Sequence, residues 1–407
     1  LSTSTITQPH AEVTDRDQAE EHIASVCFRT GPSRLIGAEL EFTVHHADDP
    51  ARPIDLATLR RALGPHAPAT ISPDSPQETL DNGTPVTVEP GGQVEISSAP
   101  FRSLTALYAA TEGDRRQLSR LLAAEGLVLG EHGLDPWRSP RRLLHTPRFD
   151  ALEKAFDRTG TAGRVMMCNT AGLQACVDAG EPRQLAARWA ALYAAGPALM
   201  AAFATSHRQG GIDTGWRSAR MRAWFGVDRQ LTREIDLGAD PAHAWARHAL
   251  AAPLLCVRRD DRNWEAPRGL TFNDWIDGAL DTPPTTEDLD YHLTLLFPPI
   301  RPRGYLEVRC LDAQPGNEWI APIAVIAALL ADDETTDLAR DLAAPAAGRW
   351  EPAARDGLTD PAISRVAHAV LDLAARRLDR TTLDAPVRNR VSEIIAKRLS
   401  KESGTRP

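Results

Sequence analysis

The segment Gly37-Ala38-Glu39-Leu40-Glu41-Phe42-Thr43-Val44 alternates polar and apolar residues without interruption after Ala38. A strand's side chains repeat every two residues, so Glu39, Glu41 and Thr43 fall on one face and Leu40, Phe42 and Val44 on the other. The apolar face marks the side of the core. On the opposite face the two carboxylates stand about 7 Å apart at backbone level, where an effective dielectric near 20 gives a repulsion of roughly 2–3 kcal/mol. Something must offset that charge. Two further segments repeat the design. In Val94-Glu95-Ile96-Ser97 and the preceding Gln93, the residues Gln93, Glu95 and Ser97 share a face opposite Val94 and Ile96. A Pro90-Gly91-Gly92 turn is placed to fold Glu89 back beside them. In Tyr305-Leu306-Glu307-Val308-Arg309-Cys310, Glu307 and Arg309 point away from Leu306 and Val308.

Polar strand faces are ordinarily solvated. Three of them bearing carboxylates, each beside a glycine or proline turn, instead point to convergence on a common centre. Such a cluster offers hard oxygen ligands, which select Mg²⁺ or Mn²⁺ over zinc. Several divalent ions together are what a polyphosphate substrate requires, because they bridge its oxygens and neutralise charge as a phosphoryl group moves. The chain has neither a G-x-x-x-x-G-K-[ST] loop nor a G-x-G-x-x-G turn, and no His-Glu-x-x-His or Gly-x-Ser-x-Gly motif. A nucleotide would have to be held through metal-bound phosphates.

Composition narrows the partners. With 46 Lys+Arg against 55 Asp+Glu the net charge is −9, which argues against a sequence-independent nucleic-acid binder. Five cysteines without a Cys-x-x-Cys pair form neither a disulfide framework nor a zinc site, and Cys168 and Cys176 are expected to pack as small hydrophobes. The polar stretch Leu1 to Glu21 has no secretory character, so a cytoplasmic location is expected. The apolar stretch Trp189 to Ala204, interrupted by Gly196-Pro197, is too short for a bilayer and reads as a buried helix, so no membrane partner is expected.

Residues 1–14 lack periodicity and read as a frayed tail, followed by a single domain over 15–405. Helical spacing at Leu104, Leu107, Leu118 and Leu122, with Ser103 as N-cap and Gly126 as stop, predicts a helix, and similar spacing recurs from Leu185, Ile363 and Val387. Strand-like stretches lie at 34–44, 86–98, 168–178 and 305–311. Strands and helices are not strictly interleaved, so the fold class is α+β with an antiparallel or mixed sheet.

Taken together, Gly37-x-Glu39-x-Glu41, Glu89-Pro90-Gly91-Gly92-Gln93-x-Glu95-x-Ser97, Met166-Met167-x-Asn169-Thr170-x-x-Leu173-Gln174 and Arg301-x-x-x-Tyr305-Leu306-Glu307-x-Arg309-x-x-Asp312 resemble segments of the glutamate–cysteine ligases of the plant and proteobacterial type. The likeness extends over about residues 34 to 320 in family order. An Ala/Arg-rich composition is similar to the actinobacterial branch that feeds ergothioneine synthesis. The resemblance implies a glutamine synthetase-like fold, in which a curved antiparallel sheet cups the active site and helices cover its outer face. It implies ATP as co-substrate and L-glutamate and L-cysteine as reactants, joined to γ-glutamylcysteine through a γ-glutamyl phosphate. Carried over, Glu39, Glu41, Glu89, Glu95 and Glu307 would hold Mg²⁺, with Gln174 as an additional ligand.

A glutamate α-carboxylate calls for a guanidinium fork. Arg309, beside Glu307, and Arg220, in Arg220-Met221-Arg222-Ala223-Trp224, are the candidates, although Arg309 is equally suited to bracing the carboxylates by ion pairing. Met167, Asn169, Thr170 and Trp224 complete the expected substrate-binding set, with Met167 and Trp224 also fitting core positions. Two other readings suit the same residues: a γ-glutamyl ligase for a different amine, and a non-catalytic metal- or amino-acid-binding protein.

Overall fold

The alternating segments become neighbours in one sheet. In the computed structural model, which describes residues 11–31, 34–238, 240–260 and 263–400, six strands pair. They are β1 (Ile36–Phe42), β2 (Val86–Val88), β3 (Val94–Ser97), β4 (Gly172–Val177), β5 (Ile300–Pro302) and β6 (Leu306–Asp312). Their order is β2-β3-β1-β4-β6-β5, and every pairing is antiparallel. Leu40 stands opposite Ile96 and Leu173, and Val308 opposite Ala175, which makes one face continuous apolar surface.

Helices cover that face. Leu185–Ala202 and Ile320–Leu329 pack against β6 and β4 respectively. Nearly every residue of Ile320–Leu329 is buried, as suits a helix apolar on all sides. The helix Leu185–Ala202 runs straight through Gly196-Pro197, so this pair interrupts the apolar run but not the helix. Gly196 is required there because a Cβ would lie 2.1 Å from the Trp350 ring. Leu104–Ala123 starts at Ser103, whose hydroxyl accepts from Ala106 N–H, and Gly126 (φ 70°) follows in the turn. Pro361–Arg377 and Ala385–Ser400 complete the expected helices. The α+β class and the antiparallel sheet backed by helices are thus as expected.

Two details differ from the sequence reading. Cys168 and Asn169 are not strand; they close the helix Ala162–Asn169, and the strand starts at Gly172. Of the expected tail, residues 1–10 lie outside the described residues, whereas Val13 is buried and donates its N–H to Pro284 O at 2.8 Å. At the other end, residues 401–405 of the expected domain also lie outside them. Among the described residues, no helix is long and apolar enough to cross a membrane.

β6 contains a bulge: Arg309 and Cys310 fall between the paired positions Val308↔Ala175 and Leu311↔Leu173. Strict alternation would send Asp312 to the apolar side with Leu306 and Val308. The extra residue reverses the phase, so that Asp312 lies opposite Gly172, on the Gln174 side.

Candidate active site

The polar face is built by register. Glu41 pairs directly with Glu95, Glu39 with Ser97 on one side and Gln174 on the other, and Glu307 with Cys176 and Arg301. Glu89 joins through the hairpin between β2 and β3. Its N–H donates to Gln93 O and its carbonyl accepts from Gly92 N–H, both at 2.8 Å. Gly92 (φ 87°) takes the left-handed position, and at Gly91 a Cβ would lie 2.0 Å from Cys168 O. Gln93 does not share the open face with Glu95 and Ser97. It is buried, accepts from Gly91 N–H at 2.9 Å, and donates to Thr170 O at 2.9 Å and Met167 O at 3.3 Å, so it docks the turn onto the end of the helix Ala162–Asn169.

Charge on this face is unevenly balanced. Glu307 is fully buried, receiving Arg301 Nε at 2.7 Å and Arg309 Nη1 at 2.7 Å. Burial by itself would raise its pKa, but the Arg301 and Arg309 charges and their hydrogen bonds overcome this and hold it at about 2. The other acids lack such partners. Burial and then the Glu307 charge raise Glu39, with Arg309 offsetting part of the rise. Burial and the Glu41 charge push Glu89 up to about 7. Burial, followed by Glu89, Glu39 and Glu41, raises Glu95 well above the carboxylate range, against a bond from Ser97 Oγ at 3.0 Å. Glu41 accepts from Gly172 N–H at 2.6 Å and Gln174 Nε2 at 3.1 Å.

A raised acid binds its proton more tightly in the folded state, so its contribution to stability is present below pH 4.5 and lost as pH rises through about 7. We therefore expect the metal-free protein's melting temperature to fall across this window, and less so in Glu89→Gln. Thermal scans at pH 5, 6, 7 and 8 check this; identical slopes in the two proteins would contradict it.

The two guanidinium candidates occupy different surroundings. Arg309 bridges Glu307 and Gln174, whose Oε1 lies 2.6 Å away, and its buried Nε has no partner. This is the bracing arrangement. Arg220 is 1% exposed and makes no hydrogen bond to a carboxylate: Nη2 donates to Arg309 O at 3.0 Å, Nη1 approaches Met221 Sδ at 3.4 Å, and Nε has no partner. Gly172 leaves room for it, since a Cβ there would lie 2.5 Å from Nη2. Trp224 supports both arginines, whose Cζ atoms lie 5.1 and 5.5 Å from its ring, and its Nε1 donates to Phe297 O at 2.8 Å. Behind Arg220, buried Asp312 accepts from Ser206 Oγ at 2.7 Å, Ser218 Oγ at 2.9 Å and Thr205 N–H at 2.9 Å.

The residues expected to meet substrate at the end of the helix Ala162–Asn169 direct their polar groups inward. Thr170 Oγ1 donates to Met166 O at 2.6 Å, Met167 O accepts from Gln93, and Asn169 donates to Arg138 O at 3.2 Å. Asn169 also lines a cavity of about 400 Å³ with Gly91, Trp137, Arg138 and Leu143, next to the Glu89 turn. Trp137, 48% exposed at that cavity, has no signature in the sequence beyond an aromatic residue between proline and arginine. Arg301 as partner of Glu307 was within reach. A hairpin with the three-residue loop Arg303-Gly304-Tyr305, centred on Gly304, pairs 302 with 306 and therefore 301 with 307. Cys176 is not a packed hydrophobe: it shares the face of Gln174, and burial together with Glu39 and Glu307 raises its thiol pKa.

Comparison with known proteins agrees with this architecture. A family model described as glutamate-cysteine ligase family 2 (GCS2) matches residues 35–406. Glutamate–cysteine ligase EgtA of Mycobacterium tuberculosis is 38% identical over 386 residues, covering 92% of this chain and 86% of the relative. EgtA of Mycolicibacterium smegmatis is 38% identical over 378 residues, 90% and 85% of the two chains. The chloroplastic glutamate–cysteine ligase of Arabidopsis thaliana is 28% identical over 333 residues, 76% and 63%. A bifunctional glutathione synthetase from Pasteurella multocida shares the fold, with a TM-score of 0.50 and 13% identity, over 95% of this chain and 49% of that one. The chain is an ATP-dependent carboxylate–amine ligase. Within that class, it belongs to the glutamate–cysteine ligase family.

Proposed function

We propose that one domain over residues 15–405 joins the γ-carboxylate of L-glutamate to the amine of L-cysteine on the polar sheet face, through a γ-glutamyl phosphate formed from ATP. The observation that carries this reading is the charge imbalance: Glu39, Glu89 and Glu95 hold their protons abnormally tightly, while only Glu307 has arginine partners within hydrogen-bond distance. Hard oxygen donors with uncompensated charge fit Mg²⁺ or Mn²⁺. Glu39, Glu41, Glu89, Glu95, Glu307 and Gln174 are the proposed holders. When bound, such ions neutralise the phosphate oxygens of ATP as charge develops on them.

The chain's own residues supply alignment. The bonds from Gly172 and Gln174 hold the Glu41 carboxylate in one orientation, so little reorganisation is left to the reacting state. Arg220, buried near the Asp312 charge but with no carboxylate in hydrogen-bond reach, is the proposed receiver of the glutamate α-carboxylate, because a buried guanidinium whose donors lack a carboxylate gains most from a bidentate partner. Arg309 keeps Nε uncommitted toward a further acceptor while Nη1 secures Glu307. Holding both reactants so converts a bimolecular encounter into a positioned one. We place the reaction in the reducing cytoplasm, where the acceptor remains a free thiol, and infer that its product feeds ergothioneine synthesis, in keeping with the EgtA relatives.

Mass spectrometry of a reaction containing ATP, Mg²⁺, glutamate and cysteine is expected to show γ-glutamylcysteine with equimolar ADP. Faster turnover with another amine in a parallel panel would instead assign a different acceptor. Absence of phosphate release in a single-turnover experiment would reduce the protein to a binding role.

A further inference from the structure

Cys176 occupies a position that the metal chemistry above does not use. It stands opposite Glu307 and next to Glu39 across the strands, and its Sγ lies 3.9 Å from Glu39 Oε1. One ligand atom each from Glu39, Cys176 and Glu307 can be chosen so that all three lie within 4.8 Å of one another. A tetrahedral ion with bonds near 2.3 Å to sulfur and 2.1 Å to oxygen needs donors about 3.6 Å apart, so modest side-chain movement closes the site. Glu307 retains some capacity: its Oε2 accepts both short arginine bonds, whereas Oε1 has a longer bond from Arg301 Nη2, at 3.3 Å, and the ion-paired Arg303 Nη1 at 3.9 Å. Cys176 is also the one cysteine on the polar face that is not fully buried; Cys27, Cys168, Cys256 and Cys310 are buried.

We propose that Cys176, with Glu39 and Glu307, forms a mixed thiol–carboxylate site that captures thiophilic divalent cations such as Zn²⁺ or Cd²⁺ in competition with the ion held at Glu39, and so makes the enzyme sensitive to them. The inference rests on the reading of the acidic face as ion-binding. Hard ions use the carboxylates and leave the thiol protonated, whereas a soft ion adds a bond to sulfur. On capture the S–H proton passes to solvent, the sulfur lone pair enters the metal bond, and no oxidant or reductant is consumed. The ion's own positive charge reverses the local field that otherwise disfavours the thiolate.

The test uses the full chain, stripped of metal, and has a readout other than activity. Cd²⁺ titration of the wild-type protein is expected to produce an ultraviolet thiolate-to-metal charge-transfer band saturating at one ion per chain. The band is expected to vanish in both Cys176→Ser and Cys176→Ala and to be suppressed by Glu39→Gln. The Zn²⁺ concentration giving half inhibition should rise at least about tenfold in Cys176→Ser, the loss of one ligand being about 1.4 kcal/mol or more. Mn²⁺ binding, followed by electron paramagnetic resonance, separates the two levels of the argument. A wild-type protein that binds Mn²⁺ but gives no Cd²⁺ band, or a band that persists in both Cys176 variants, overturns the thiol site while the acidic face stands. Failure to bind Mn²⁺ as well overturns both.

Discussion

Glu307→Ala is expected to cost the fold about 3–5 kcal/mol, the characteristic penalty for removing one partner of a buried ion pair. The carboxylate is fully enclosed, and its Oε2 accepts from both Arg301 and Arg309, which are themselves buried. Its removal leaves two buried like charges without the anion that they both hydrogen-bond, with only the more distant Glu39 and Glu41 left to offset Arg309. Arg301 keeps carbonyl partners, including Leu296 O at 3.1 Å, but a carbonyl dipole does not neutralise a full charge. Urea unfolding of the metal-free protein measures the effect. The midpoint should fall with the slope unchanged, and Glu307→Gln should fall less because it retains an acceptor. A loss below about 1 kcal/mol in both variants would mean that desolvation has already cancelled the attraction, as it does for some buried pairs.

Glu41→Ala should act in the opposite sense, with a large effect on turnover and a small one on folding. Glu41 lies at the centre of the acidic face and raises the proton affinity of Glu89 and Glu95. Truncation loses the bonds from Gly172 N–H and Gln174 Nε2, and it relieves repulsion from those neighbours by an amount of the same order, roughly 2–3 kcal/mol. The unfolding midpoint should therefore move little. Turnover should fall by about 10²–10³ or more, the range for loss of one preorganised electrostatic group. ADP release at saturating ATP, glutamate and cysteine is the measurement. Turnover within about tenfold of wild type, with folding intact, would remove Glu41 from the machinery. Together the two substitutions separate what Glu307 contributes to the sheet from what Glu41 contributes to turnover, although both lie on one face.

Much of that face could be read in one dimension. The period of two in β1 and β3 placed Glu39, Glu41 and Glu95 opposite the apolar residues, and the Pro90-Gly91-Gly92 turn did return Glu89 to the same side. Capping and spacing located the long helices, because those signals act over a single turn. The same local reasoning failed wherever a residue's direction depended on a neighbour from elsewhere in the chain. Gln93 follows the parity of Glu95, but it lies in the turn before the strand and finds backbone carbonyls of Met167 and Thr170. Asp312 has the wrong parity and reaches the site only because a bulge shifts the phase of β6. Thr170 and Asn169 look like ligand-binding side chains, yet nearby backbone carbonyls satisfy them first.

By itself the amino-acid sequence determined that Glu39, Glu41, Glu95 and Glu307 stand on the polar sides of their strands and which family the chain resembles, because side-chain alternation and local motifs are properties of consecutive residues. Only the tertiary structure decided what each polar group faces: Glu307 between two arginines, Arg220 buried without a carboxylate within hydrogen-bond reach, and Cys176 beside Glu39. Strand order and register set those pairings, and they depend on the packing of helices against the opposite face of the sheet, whose energy is spread over the whole core.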